Sequence, residues 1–390
     1  MRSSFRLGSL FGISIFANYS WFVIFALVTF SLVADYSGQF PNLSKEAHWA
    51  VGVVTSALFF SSVLFHEMAH SLVANGQGVR VRSITLFIFG GVAEIEDEPK
   101  GPRTEILIAV VGPLASLGLA VLFGTIWYFT TTAAPIIGGV AGWLARMNAG
   151  LGIFNLLPGL PLDGGRILRG IGWSLTGSLT RATQIASGTG RFLGYLIITS
   201  GAWMAFGEKQ MVDGIWLGLI GWFLVRAAEM TMWQTLFRQA IFGVKAAQVM
   251  GNDCVFVSPG ISLREFVDSY LMRSVAHCFI VGNPVEPRGL ITLSDVRAVP
   301  CDEWDLTSVQ SVMSGLEKAL SVSPDDEVQD VLRLMESKGV AQVPVMREGH
   351  LLGVINRESL LGLIRNRLEF GVEGKEAENE NPTGNRWLGV

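Results

Sequence analysis

Residues 56–74 read SALFFSSVLFHEMAHSLVA. A helix needs roughly 20 apolar residues to cross a bilayer, and this stretch is almost that long and mostly apolar. It nevertheless contains His66, Glu67 and His70. Ionisable residues inside a membrane span are costly and mark functional sites by default. The stretch therefore predicts a membrane helix that carries a chemical site. The alternative is a polar patch that only packs helices together.

The spacing of these residues suits a metal ion. Residues four apart lie on one face of a helix, so His66 and His70 can bind one ion while Glu67 acts as a base for a water molecule. A hydrolytic zinc site usually has a third protein ligand. Asp163, in the string NLLPGLPLDGGR at residues 155–166, follows a later predicted span at a matching depth. Prolines and glycines break the helix there, and irregular backbone is tolerated in a membrane where it lines a cavity.

The composition divides the chain of 390 residues into two parts. Half of the residues are hydrophobic and 16% are charged, against about 25% charged in a typical soluble domain. Charges are scarce in residues 1–235 and ordinary in residues 236–390, which predicts a membrane domain and a soluble domain. The net charge of −4 gives no reason to expect nucleic-acid binding. The three cysteines lack disulfide or metal-site spacing and are predicted to be reduced thiols: Cys254, Cys278 and Cys301.

About six membrane spans are predicted from the apolar segments. They are residues 12–34, 49–74, 104–131, 136–158, 191–207 and 212–229. Basic residues favour the cytoplasmic side of a membrane, and an N-terminus in the cytoplasm leaves only Lys45 and Lys209 in outer loops. We therefore predict a multi-pass protein of the cell membrane with both termini in the cytoplasm.

Two paired motifs resemble those of the site-2 intramembrane metalloproteases. These are H-E-x-x-H at residues 66–70 and N-x-x-P followed by L-D-G at residues 155–164. The resemblance covers most of residues 1–235 and extends to Phe89-Gly90-Gly91 and to the segment from Gly112 to Ser116.

The resemblance implies a zinc-dependent hydrolase that cuts transmembrane substrate proteins, as in regulated intramembrane proteolysis. It implies one zinc ion per chain, held by His66, His70 and Asp163, with Glu67 as catalytic base. It also suggests that Asn155 holds the substrate or the developing oxyanion, although a hydrogen bond that packs helices is an open alternative for Asn155.

Residues 79–97, VRVRSITLFIFGGVAEIED, alternate in polarity around a Gly-Gly pair, which predicts two short strands and a turn. An exposed strand edge can bind an extended peptide by strand addition. The alternative is an amphipathic connector without that role.

The C-terminal part contains an internal repeat. Residues 245–299 and 309–365 share a V-M opening, a V-S-P turn, an amphipathic helix and a closing G-h-I strand. Two such copies resemble a tandem pair of cystathionine-beta-synthase (CBS) domains within residues 236–370, followed by a predicted disordered tail at residues 371–390. The resemblance implies adenine-nucleotide binding, with Thr292 and Asp295 as ligands of the ribose and phosphate.

The second copy departs from that signature, since Asn356 and Ser359 stand at the matching positions. A CBS pair that serves only to form a homodimer is therefore an alternative.

The predicted fold is a polytopic α-helical membrane protein with a C-terminal α+β CBS pair. The predicted function is zinc-dependent cleavage of transmembrane proteins, regulated by adenine nucleotide through the CBS pair. A CBS-regulated channel or transporter would spread polar residues over several helices. A non-haem iron oxygenase also uses two histidines and a carboxylate but gives no role to Glu67.

Overall fold

The computed structural model describes residues 4–88, 90–95, 99–251, 254–273, 278–316 and 320–369. The chain divides between Trp233 and Gln234 into two compact units. The predicted tail at residues 371–390 lies outside the described residues.

A four-stranded sheet opens the first unit. Its strands are β1 (Ser4–Leu10), β2 (Ile13–Asn18), β3 (Val81–Phe87) and β4 (Gly90–Ile95), in the order β1-β2-β3-β4. Strands β2 and β3 are parallel and the other pairs are antiparallel. The two strands expected within residues 79–97 are confirmed, but they belong to a larger sheet. The span expected at residues 12–34 begins too early, because Ile13–Asn18 is strand and the helix starts at Tyr19.

Seven helices follow or interrupt these strands among the described residues, six of them wholly within this unit and the last continuing past Trp233. They are α1 (Tyr19–Gln39), α2 (Lys45–Gly76), α3 (Pro102–Thr130), α4 (Pro135–Asn155), α5 (Asp163–Thr176), α6 (Leu179–Phe206) and α7 (Met211–Ile241). Among the described residues, five helices are long and apolar enough to cross a membrane, namely α1, α2, α3, α4 and α7. The expected span at residues 191–207 lies in α6, which has 28 residues but is not among those five.

Local sequence sets where the first membrane helices begin. The Asn18 side chain accepts a hydrogen bond from the backbone N–H of Ser20 at 3.0 Å, and Ser44 accepts one from Ala47 at 3.2 Å. Such N-caps satisfy backbone donors that have no partner within the helix. The outward-facing side chains of the spans are large and apolar, for example Phe129, which is 71% exposed, as expected of a surface in contact with lipid.

Glycines allow α6 to lie close to α7. A Cβ atom added at Gly201 would lie 2.6 Å from the carbonyl oxygen of Gly214, and one added at Gly221 would lie 2.7 Å from that of Gly194. Small residues at such contacts are typical of helices that pack within membranes. The α6 helix is therefore built to pack against a membrane helix over much of its length.

The second unit contains short strands and helices. They are β5 (Val255–Val257), α8 (Leu263–Phe266), β6 (Phe279–Gly282), β7 (Pro287–Ile291), α9 (Leu293–Arg297), α10 (Val309–Val312), β8 (Ser314–Gly315), α11 (Val328–Lys338), β9 (Gln342–Arg347), β10 (His350–Asn356) and α12 (Arg357–Glu369). One sheet has the order β5-β6-β7-β8 and the other pairs β10 with β9. There are two main apolar cores, and each includes residues from the opening segment of the other copy, Ala246 and Val249 in one core and Val309 in the other.

The opening segments of the two copies are exchanged. Gly251, just after the first V-M string, pairs with Val354 of the second copy through backbone hydrogen bonds of 3.0 and 3.1 Å. Ser314, just after the second V-M string, pairs with Leu290 of the first copy. Each copy therefore completes the sheet of the other.

The prediction of three reduced thiols is wrong for two of them. Cys254 and Cys278 form a disulfide, while Cys301 is free and exposed. Cys254 precedes β5 and Cys278 precedes β6, and these strands are parallel neighbours in register. Strand pairing therefore brings together two cysteines that are 24 residues apart in the sequence.

Candidate metal centre and active site

Two helices bring together three side chains that could hold a metal ion. His66 and His70 project from consecutive turns of α2, and Asp163 is the first residue of α5. The Nε2 atoms of the two histidines are 3.1 Å apart, and each lies 3.2 Å from Oδ2 of Asp163. All three residues are buried. They are the sole cluster of three or more potential His, Cys, Asp or Glu ligands found among the described residues.

The other ring nitrogen of each histidine is held by α3. Nδ1 of His70 lies 2.6 Å from the carbonyl oxygen of Ile108, and Nδ1 of His66 lies 2.9 Å from the hydroxyl of Ser116. A carbonyl oxygen can only accept, so Nδ1 of His70 carries the proton and Nε2 presents a lone pair to the centre. Such partners fix the tautomer and ring orientation of metal-binding histidines.

A glycine of α3 gives the two imidazole rings their space. A Cβ atom at Gly112 would lie 2.1 Å from Nε2 of His70 and 2.7 Å from Nε2 of His66. Any side chain at this position would occupy the volume in which the nitrogen atoms converge. Gly112 is therefore part of the wall of the metal centre.

The loop before Asp163 is packed tightly enough to fix the start of α5. The N–H of Leu160 donates to the carbonyl oxygen of Ala186 on α6 at 3.1 Å. A Cβ atom at Gly164 would lie 2.2 Å from the carbonyl oxygen of Leu156, and one at Gly165 would be equally close to the backbone of Gly159. Gly164 and Gly165 thus allow the first turn of α5 to pack directly against the backbone of the loop that precedes it.

Glu67 lies beside the metal ligands without taking part in their cluster. It is half-buried and lies within electrostatic range of His66, Asp163 and Arg166. Strand β4 passes directly over it, since a Cβ atom at Gly91 would lie 2.4 Å from Cγ of Glu67. The described residues offer its carboxylate no hydrogen-bond donor, which leaves Glu67 able to accept a proton.

Asn155 is the last residue of α4 and is half-buried. Within the described part of the chain, its side chain makes no hydrogen bond, so the structure gives no support to the alternative that it packs helices by such a bond. Phe89, which belongs to the motif with Gly90 and Gly91, lies outside the described residues.

The donor set fits zinc. Two imidazole nitrogens and one carboxylate oxygen are the ligands of many catalytic zinc sites, which keep a fourth position open. The hydrogen bonds to Ile108 and Ser116 leave both Nε2 atoms facing Asp163. The Glu67 carboxylate, which is outside the ligand cluster, stands next to them.

The predicted nucleotide residues form a helix cap. Oδ2 of Asp295 accepts from the backbone N–H of Thr292 at 2.8 Å and from its hydroxyl at 2.7 Å. In the second copy, Oδ1 of Asn356 accepts from the N–H of Ser359 at 2.7 Å, and Oγ of Ser359 accepts from the N–H of Asn356 at 3.3 Å. Both copies thus begin a helix in the same way, although only the first offers a carboxylate.

Sequence reasoning gave no role to the buried residues of α3 near the candidate ligands, although the segment from Gly112 to Ser116 was part of the resemblance. Ser116, Gly112, Ile108 and Glu105 are all buried and lie on one stripe of α3, with separations of three or four residues. The signal in the sequence that these residues share one buried face was their spacing of three or four positions. In a helix that is apolar on every side, the stripe could be recognised only at its two polar members, Glu105 and Ser116.

Comparisons with known proteins agree with this geometry. The family profile "Peptidase family M50" matches residues 54–137 and 128–197, and the profile "CBS domain" matches residues 309–366. The protein named "Putative zinc metalloprotease sll0528" from Synechocystis sp. is 33% identical over 365 residues, which are 93% of this chain and 95% of that protein. "Zinc metalloprotease MJ0392" from Methanocaldococcus jannaschii is 30% identical over 93% of this chain and 96% of its own length.

Among solved structures, "Site-2 Protease from Methanocaldococcus jannaschii" is 30% identical and matches 59% of this chain and 95% of that chain, with a TM-score of 0.41. The extent of the sequence matches decides the family. This chain belongs to peptidase family M50 and is a zinc metalloprotease of the site-2 protease type with C-terminal CBS domains.

Proposed function

We propose that this protein hydrolyses peptide bonds of transmembrane substrate proteins at one zinc ion held by His66, His70 and Asp163. The observation that carries the proposal is the convergence of three buried donor atoms within 3.2 Å of one another. Two of them come from α2, a helix that is long and apolar enough to cross a membrane. A substrate that reaches this centre is therefore one that can enter the membrane.

Glu67 is the general base and acid in this proposal. Zinc in such a site supplies a Lewis acid that polarises the scissile carbonyl and eases deprotonation of water. Glu67 takes a proton from the attacking water while the hydroxyl joins the carbonyl carbon. It then delivers that proton to the leaving nitrogen as the C–N bond breaks. The side-chain amide of Asn155, which has no other hydrogen bond among the described residues, binds the substrate carbonyl.

Strand β4 presents the substrate. It lies at one edge of the sheet, and its outer side pairs with no other strand in the described residues. Gly91 places this strand directly against Glu67. An extended segment added to the edge of β4 exposes its amides, whereas a helical segment satisfies its own. The edge is therefore the place where an unwound substrate meets the base.

Two variants test the assignment of roles. Glu67→Gln keeps all three ligands and should retain zinc while losing proteolysis of a single-pass substrate by the purified protein in detergent. Asp163→Asn should weaken zinc binding itself. Cleavage by Glu67→Gln at a substantial fraction of the wild-type rate would contradict the role of Glu67 as base.

The CBS pair senses adenine nucleotide in this proposal. Thr292 stands between β7 and α9, Asp295 lies in the first turn of α9, and Oδ2 of Asp295 accepts hydrogen bonds from Thr292. Oδ1 of Asp295 has no hydrogen bond among the described residues and is available to a ribose hydroxyl. A ligand shifts activity only if it binds one arrangement of the protein more tightly than another. A homodimer formed through this pair stays a prediction.

Calorimetry on the full-length protein with ATP, ADP and AMP tests the sensor, together with cleavage rates at the same concentrations. Asp295→Ala should weaken binding about tenfold or more, since it removes a charged hydrogen-bond acceptor. Ser359→Ala is the matched control, because it removes the equivalent cap of α12 and no carboxylate. Absence of heat with all three nucleotides, or equal loss in both variants, would remove the nucleotide role.

A further inference from the structure

A buried ion pair joins α3 to α5 outside the metal centre. Glu105 is fully buried in the first turn of α3, and Arg169 lies on α5 with 16% of its side chain exposed. Nε of Arg169 donates to Oε1 of Glu105 at 2.6 Å, and Nη2 donates to the same oxygen. Oε2 of Glu105 has no hydrogen-bond partner in the part of the chain that the structure describes. Among the described residues, Arg169 is thus the sole side-chain partner of this carboxylate.

The two helices touch at the same level. A Cβ atom at Gly170 would lie 2.6 Å from Cγ1 of Ile106 and 3.1 Å from the carbonyl oxygen of Pro102. The residue after Arg169 therefore leaves no gap between α5 and the start of α3. Because a buried charge without a partner is strongly unfavourable, the pair resists both sliding and rotation of α5 against α3.

This contact bears on the metal centre through helix geometry. Helix α3 holds His70 through the carbonyl oxygen of Ile108 and His66 through Ser116. Helix α5 begins with Asp163. The same stripe of α3 therefore orients both imidazole rings directly, and through Glu105 it also holds the helix that carries the third ligand.

We propose that Glu105 and Arg169 are positioning residues that set the placement of the Asp163 carboxylate relative to the two imidazoles, and thereby the affinity for zinc. The proposal rests on the zinc site proposed above. The loop at Leu160 fixes where α5 begins, while the ion pair fixes the direction and rotation of the helix. Zinc–ligand distances vary by only about 0.2 Å, so a small displacement of α5 is enough to weaken binding.

The test measures zinc affinity by competition with a chelator, together with the absorption spectrum of the Co²⁺-substituted protein in detergent. Arg169→Met should lower zinc affinity at least about tenfold, as losses of outer-shell partners do. Its Co²⁺ spectrum should move toward that of Asp163→Asn. The matched control is Arg226→Met, which breaks the pair that Arg226 forms with Glu229 at 3.1 Å on α7 and should change neither quantity.

A double variant separates positioning from simple loss of a charge partner. Glu105→Gln with Arg169→Met leaves no unpaired charge, so its zinc affinity should stay low if the pair positions α5. Return of the double variant to wild-type affinity would overturn the proposal, as would a wild-type affinity and Co²⁺ spectrum in Arg169→Met.

Two further variants keep the test decisive. If Arg169→Met does not fold, Arg169→Lys replaces it, and wild-type affinity together with an altered thermal stability would again overturn the proposal. If Asp163→Asn retains the wild-type zinc affinity, the metal site itself is wrong. The two failures can therefore be told apart.

Discussion

Substitution of Gly112 by alanine should destroy the metal centre without changing a ligand. The new methyl group would lie 2.1 Å from Nε2 of His70 and 2.5 Å from Cε1 of the same ring. Ordinary contacts of a Cβ atom begin at about 3.4 Å, so the ring must retreat by about 1.3 Å. That distance exceeds the tolerance of a zinc–nitrogen bond, about 0.2 Å, several times over.

The ring has little freedom to move and remain a ligand. Its Nδ1 atom is held 2.6 Å from the carbonyl oxygen of Ile108, on the same helix as the new methyl group. We therefore expect loss of His70 as a ligand and a fall in zinc affinity of about a hundredfold or more, at or beyond the upper end for outer-shell changes. This corresponds to about 2.7 kcal/mol.

Gly118→Ala on the same helix is the control, because a Cβ atom there has nothing within 4 Å. Alanine favours a helix over glycine by about 1 kcal/mol, so both variants gain the same intrinsic helix propensity. Zinc content and chelator competition are measured on both purified proteins, with thermal unfolding before and after metal removal. Wild-type zinc affinity in Gly112→Ala would refute the geometry derived for the centre.

Two other predictions concern the base and the topology. Gly91→Ala would place a methyl group 2.4 Å from Cγ of Glu67 and should lower the cleavage rate while zinc remains bound. The control is Gly8→Ala on β1, where a Cβ atom has nothing within 4 Å, and it should change neither the cleavage rate nor the zinc content. Loss of zinc in Gly91→Ala would contradict the role of Glu67 as a base that is not a ligand. For topology, the exposed thiol of Cys301 should resist an impermeant reagent added to intact cells. A cysteine placed at exposed Asn42 in a protein that also carries Cys301→Ser should react with the same reagent. Equal labelling of Cys301 in the first protein and of the new cysteine in the second would contradict cytoplasmic termini.

Much of the site could be predicted from the sequence because its determinants are local. The spacing of His66 and His70 is a property of any helix. Asp163 could be paired with them only by matching depths in a membrane, and the structure brings the three together. The β3–β4 hairpin was likewise predictable, because alternating polarity on both sides of a Gly-Gly pair lies within residues 79–97, although Gly90 and Gly91 begin β4 and do not form the turn.

Features that depend on distant pairing could not be predicted in the same way. Residues 13–18 are mostly apolar and continuous with α1, so hydropathy includes them in the first span. Their strand pairing with β3 joins Ser14 to Ser83, which no local pattern reveals. The disulfide also depends on the register of two parallel strands. Alignment of the CBS copies gave their limits but not the exchange of their opening segments, since exchanged and unexchanged segments have the same sequence.

The buried stripe of α3 explains how a membrane helix can hold a metal centre without belonging to its ligand motif. Glu105, Ile108, Gly112 and Ser116 all face inward and act respectively through charge, a backbone carbonyl, empty volume and a hydroxyl. Only Glu105 and Ser116 contribute through a polar side chain. Neither a hydropathy profile nor the spacing of metal ligands therefore identifies the stripe. The opposite side of the helix faces outward, as at Leu114, which is 58% exposed. Substitutions on the stripe therefore act on metal binding, whereas apolar exchanges at Leu114 change only the surface toward lipid.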